Sequence, residues 1–117
     1  AASSMAAGAL TALKGGTNEQ ISHAAAMAMK ALLGLVCDPV AGLVEVPCVK
    51  RNVIGAVNAM TSADMALAGI GSAIPADQVF DAMREVGEKM HDALKETGEG
   101  GLAATPEGIR ITKSIIM

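Results

Sequence analysis

Aromatic side chains are almost missing from this sequence: Phe80 is the only one, and there is no Trp or Tyr. A β-sandwich draws its core volume from aromatic and β-branched residues, so that class is disfavoured. Charge is sparse too, with Asp, Glu, Lys and Arg making up 18% of the chain, yet 51% of it is hydrophobic. That balance is too apolar for a disordered segment. No basic run occurs, no basic residues alternate with aromatics, and the net charge is −3. Nucleic acid is therefore not an expected partner. Two cysteines do not make a disulfide scaffold. The small, apolar first residues, Ala1 to Leu10, lack the basic leader of a secretory signal. No uncharged run reaches the ~18 strongly apolar residues that a membrane span needs. The nearest approach, Ala24 to Cys37, is Ala-rich and interrupted by Lys30.

What is present is Ala, Leu, Ile, Val and 8 Met in a chain of 117 residues. A core of such residues favours close-packed helices with small side chains at the contacts. The length fits a single helical domain over 1–117. A lone domain of this size usually has a more polar exterior, so part of the surface is expected to be covered by something else. The chain starts at Ala-Ala-Ser-Ser-Met inside an apparent helix, and it reads as a piece of a longer protein.

Helix signals divide the chain into about five helices. Residues 1–14 are good helix formers, and Gly15-Gly16 stops them. Thr17 and Gln20 have the spacing of a capping box. Ile21, Ala25, Ala28, Leu32 and Val36 then recur at helical spacing, so the second helix is predicted to run to about Val36, where Pro39 restricts Asp38. Residues 37–48 read Cys-Asp-Pro-Val-Ala-Gly-Leu-Val-Glu-Val-Pro-Cys, a loop shaped by two prolines and a glycine. A long helix is predicted from about Val46 to Ile70, with Val49, Val53, Val57, Met60, Leu67 and Ile70 as its apolar stripe. After a link at 71–74, Pro75 opens a helix expected to reach about Thr97, its stripe running from Val79 through Phe80, Met83, Val86 and Met90 to Leu94. Thr105 and Pro106 start a short last helix.

Cys37 and Cys48 carry the clearest chemistry. Thiolates suit iron and zinc because a soft, charged sulfur binds those metals well. On one straight helix the two would lie roughly 16 Å apart at ~1.5 Å per residue, too far for one cluster. A folded-back loop brings them together, and Pro39, Gly42 and Pro47 suit such a loop. Common zinc and ferredoxin motifs use shorter gaps. On spacing alone, two small buried thiols are the plainer reading.

The full string from Gly34 through Cys37-Asp38-Pro39 and Gly42-Leu43-Val44 to Pro47-Cys48, followed by Arg51-Asn52, closely resembles the cluster loop of the iron–sulfur-dependent L-serine dehydratases (L-serine ammonia-lyases). The similarity extends to Ser4-Met5-Ala6, Ser62–Leu67, Ile74-Pro75 and Gly100-Gly101-Leu102-Ala103, essentially the whole chain. It matches the C-terminal part of the family's catalytic α region. The resemblance implies a 4Fe–4S cluster held by three cysteines, of which Cys37 and Cys48 are two. The family's third lies upstream of the segment that this chain matches. It also implies that the open iron acts as a Lewis acid on the hydroxyl of L-serine, that a base removes the Cα proton, and that pyruvate and ammonia result without pyridoxal phosphate. The setting it implies is a cytoplasmic, oligomeric enzyme of amino-acid catabolism and gluconeogenesis, completed by the rest of the α region and a β subunit or domain. Residues 1–117 alone are then expected to be inactive and to hold a cluster poorly.

Other polar residues carry weaker signals. Arg51 and Asn52 follow Cys48 at a helix start and are candidates for contacting cluster or substrate; a surface ion pair is the alternative. Asp38 could orient a cysteine or a backbone amide, or simply cap a turn. Asn58, Thr61, Ser62 and Asp64 look like a buried, satisfied polar network. His23, on an Ala-rich helix with no acidic residue at i+4, and His91, on an acidic face, are read as structural and solvated. Two other functions stay open: a non-catalytic helical interaction domain, or a 4Fe–4S lyase acting on threonine or a thiol-bearing amino acid.

Overall fold

The end of the first helix shows how closely local sequence dictates local structure. In the computed structural model, which describes residues 1–117, α1 spans Ala2–Leu13. Gly15 takes a left-handed φ of +81°. Its N–H donates to Ala12 O at 3.0 Å, and Gly16 N–H donates to Thr11 O at 2.8 Å. This is the Schellman pattern, which satisfies the last carbonyls of the helix. A Cβ on Gly16 would sit 2.8 Å from Thr11 O, so the turn needs glycine there. Helix α2 spans Asn18–Lys30 and opens with the expected capping box between Thr17 and Gln20.

Helices α3 (Cys48–Leu67), α4 (Ala76–Lys89) and α5 (Pro106–Ile116) complete an all-α chain, with short 3-10 turns at Val40–Gly42, Asp92–Leu94 and Gly101–Ala104. Thr105 caps α5 by accepting the Gly108 N–H, with Pro106 in the first turn. No helix is long and apolar enough to cross a membrane. The chain forms two compact units. The first comprises Ala1–Gly34 and Val53–Glu88, the second Leu35–Asn52 and Lys89–Met117. Helix α3 thus gives its first residues to the second unit and the rest to the first.

The core of the first unit is built from small residues. Ala7, Ala24, Met27, Ala28, Ala59 and Ala66 form one buried cluster, and Ala26, Met29 and Val79 form another. Such side chains let backbones approach closely. Ser3 Oγ donates to Gly55 O at 2.6 Å, and Ser4 Oγ donates to Ala25 O at 2.8 Å. Asn58 Nδ2 donates to Ser3 Oγ at 3.1 Å and to Ala28 O at 2.9 Å.

Several expectations from periodicity are corrected. Helix α2 stops at Lys30, not near Val36. The chain turns at 31–34, Gly34 has φ +78°, and the residues beyond are needed in extended form around Cys37. Helix α4 stops at Lys89, not near Thr97, because Lys95 pairs with Cys37 in an isolated parallel bridge. His91 is exposed there, and its Nδ1 accepts the Ala93 N–H at 3.1 Å. The predicted stripe of α3 is on the outside: Val53 is 60% exposed, Val57 56% and Met60 57%. The buried face is Ala59, Ser62, Ala63 and Ala66, since only small residues fit against the Ala-rich helices. The polar patch does not form one network. Asn58 is satisfied, Ser62 Oγ is buried without a partner, Thr61 is exposed, and Asp64 pairs with Lys14 on the surface at 2.9 Å.

Candidate functional site

The second unit is organised around the two cysteines. Pro39 disfavours a helical conformation at Asp38, and residues 35–39 lie outside any helix. Both backbone polar groups of Cys37 are used in this unit. Its N–H donates to Leu94 O at 2.9 Å, and its carbonyl accepts from Glu96 N–H at 2.8 Å. The loop then doubles back: Val40 N–H donates to Val46 O at 2.9 Å. Ala41 and Gly42 take left-handed φ values of +57° and +70° at the tip. Gly98 approaches this turn so closely that a Cβ there would lie 3.2 Å from Gly42 N and 3.3 Å from Pro39 O. Cys48 opens α3, and Pro47 O accepts from Arg51 N–H at 3.1 Å. Both thiols are free; Cys37 is exposed and Cys48 half-buried.

Beside Cys37 lies a half-buried ion pair. The Asp38 side chain is 2% exposed, and each of its oxygens has a donor. Arg51 Nη1 binds Oδ1, and Leu102 N–H donates to Oδ2 at 2.7 Å. The same Arg51 nitrogen donates to Val36 O at 3.1 Å. Burial by itself would push the Asp38 carboxyl up. The Leu102 amide and the Arg51 guanidinium together outweigh it and hold the carboxyl below the usual carboxylate range. The Cys37 thiol is pushed up by partial desolvation and by the nearby Glu96, Cys48 and Asp38, with Arg51 opposing.

Of the residues singled out in the sequence, Asp38 and Arg51 meet beside Cys37, and Cys48 opens the helix that carries Arg51. Arg51 turns to Asp38 and Val36. Asn52 is exposed and lies outside that network. No group of three or more His, Cys, Asp or Glu side chains forms a metal-binding set. As two ligands of a cluster the thiols fit, being soft donors on a backbone held at many points; as a complete site they do not. His23 lies in the first unit. Its Nδ1 accepts the Ser72 N–H at 3.0 Å, and its Nε2 is 3.6 Å from Glu19, at i−4. With Thr17, Gln20, Ile70 and neighbouring residues it lines an open cavity of about 270 Å³.

Sequence reasoning gave no role to Leu102 or to the Lys95 segment. The cluster of Gly98, Gly100 and Gly101 was the available signal, since glycines mark close backbone approach. A Cβ on Gly101, whose φ is +58°, would collide with the Asp38 carboxylate.

Comparison with known sequences decides the family. The model described as "Serine dehydratase alpha chain" matches residues 1–103. The chain belongs to the serine dehydratase alpha chain family. Among curated relatives, "Probable L-serine dehydratase, alpha chain" of Latilactobacillus sakei is 66% identical over 97% of this chain and 54% of its own length. The protein of the same name from Bacillus subtilis is 63% identical, over 97% of this chain and 38% of its own. "L-serine dehydratase, alpha chain" of Peptoniphilus asaccharolyticus is 53% identical, over 98% and 39%. The chain thus spans about half, or less, of the length of these serine dehydratase relatives.

Proposed function

We propose that this chain is the cysteine-loop part of an L-serine dehydratase, a lyase converting L-serine to pyruvate and ammonia, and that Cys37 and Cys48 are two ligands of its 4Fe–4S cluster. The observation that carries the reading is the pairing of family membership with two free thiols on one clamped loop. Bound there, the cluster supplies a Lewis-acidic iron for departure of the serine hydroxyl, with no need of pyridoxal phosphate. The chain's own residues do the holding. The bridge to Leu94 and Glu96 fixes the Cys37 backbone, and the start of α3 fixes Cys48. The third cysteine and most of the groups that select serine belong to the rest of the α region, with a β subunit or domain completing a cytoplasmic enzyme. Residues 1–117 alone are inactive on this reading.

The test is anaerobic reconstitution of the full-length protein with iron and sulfide, with pyruvate formation from L-serine followed alongside the visible spectrum. The expected result is a brown protein that makes pyruvate and is bleached and inactivated by air. Cys37→Ala and Cys48→Ala each lose colour and activity; a variant that keeps both overturns the ligand assignment. A brown protein inert to serine moves the reading to a lyase acting on another amino acid. A colourless, inert one favours a helical interaction domain, the reading that the exposed face of α3 also suits.

A further inference from the structure

We propose that Asp38 and Arg51 are positioning residues that clamp Cys37 from both sides, and that Arg51 is not a substrate anchor. The inference rests on the reading of Cys37 as a cluster ligand. One guanidinium nitrogen binds Val36 O, the residue before the cysteine, and Asp38 Oδ1, the residue after it. The other Asp38 oxygen takes the Leu102 N–H. That approach exists because position 101 is glycine: its left-handed φ and its missing Cβ both make room for the carboxylate. The peptide groups of Cys37 are meanwhile held by Leu94 and Glu96. Residues 36, 37 and 38 are therefore each tied to another segment of the unit, and the thiol keeps little freedom beyond its own side-chain rotation.

An arginine that receives a substrate carboxylate must have charge to offer. Here the Arg51 charge faces a carboxylate that is 2% exposed and has no other cation. Removing either partner leaves the other charge poorly compensated, so the pair is held together by the cost of separating it. Groups that orient a metal ligand from behind commonly matter nearly as much as the ligand.

The test uses the full-length protein, reconstituted anaerobically, with Arg51→Met, Arg51→Lys and the isosteric Asp38→Asn. Three quantities are read: iron and sulfide per chain, the rate of bleaching in air, and KM against kcat for L-serine. Arg51→Met and Asp38→Asn are expected to weaken cluster retention by about 10-fold or more, the usual range for such supporting groups. KM of the fraction still loaded stays unchanged. Arg51→Lys restores the charge without the two-way contact and falls between. Full cluster content and normal bleaching in Arg51→Met, together with a raised KM, would overturn the proposal and make Arg51 a substrate anchor. If the wild-type protein binds no cluster, the underlying reading fails separately. The clamp is then judged by hydrogen exchange at the Cys37 and Glu96 amides: faster exchange in Asp38→Asn upholds it, and unchanged exchange refutes it.

Discussion

Ser62 sits in α3 at 1% exposure, and its hydroxyl has no hydrogen-bond partner. A buried polar atom without a partner costs roughly 1–3 kcal/mol. Ser62→Ala should therefore raise stability by about 1 kcal/mol, read as a higher urea midpoint at unchanged slope. A lower midpoint would show that the hydroxyl has a partner after all. Asp38 lies at the other extreme, with both oxygens bonded. Asp38→Ala strands a guanidinium and an amide, and since Arg51 is 29% exposed, the loss should lie near the lower end of the ~3–5 kcal/mol seen when a buried pair is broken. Thr17 caps on the surface, so Thr17→Ala should cost only about 1 kcal/mol. The order Asp38 well above Thr17, with Ser62 of opposite sign, is the check.

Helix α3 has two apolar faces of different kinds, and the smaller residues are inside. Ala63 is fully buried. Ala63→Leu should overpack the contact and destabilise by about 1–3 kcal/mol. Val57→Thr, on the exposed face, should stay within ~0.5 kcal/mol when residues 1–117 are kept dilute enough to be monomeric. Equal effects at the two positions would contradict the assignment of faces. The ends of α2 and α4 belong to this scale too. Helical spacing continues in the sequence past Lys30 and past Lys89, but the backbone of Cys37 needs partners from residues 94–96. A turn at residues 31–34 closes the first, and the bridge to Cys37 takes up the chain beyond the second.

At the scale of the molecule, the outward side of α3 is a question of what covers it. From Asn52 to Ala63 the helix carries no charged residue, and Val53, Ile54, Val57 and Met60 are all exposed. A helix apolar on every side is ordinarily buried in a larger body, and the relatives are about twice as long or longer. Residues 1–117 expressed alone should therefore self-associate. The double variant Val53→Lys, Val57→Lys should return it to a monomer in sedimentation velocity. A wild-type chain that stays monomeric at high concentration would show that the face tolerates water.

The all-α class, the cap at Thr17, the Gly15-Gly16 stop, the Thr105-Pro106 start and the doubling back of the loop between Cys37 and Cys48 were legible in the sequence, because each depends on residues close together along the chain. The family was legible in the string from Cys37 to Cys48. Which face of α3 is buried was not, since hydrophobic spacing records that a face is apolar and not whether an alanine contact has already filled the space. Nor was the clamp on Cys37. It joins Asp38 to Leu102 across 64 positions, and only the folded chain brings that amide to that carboxylate.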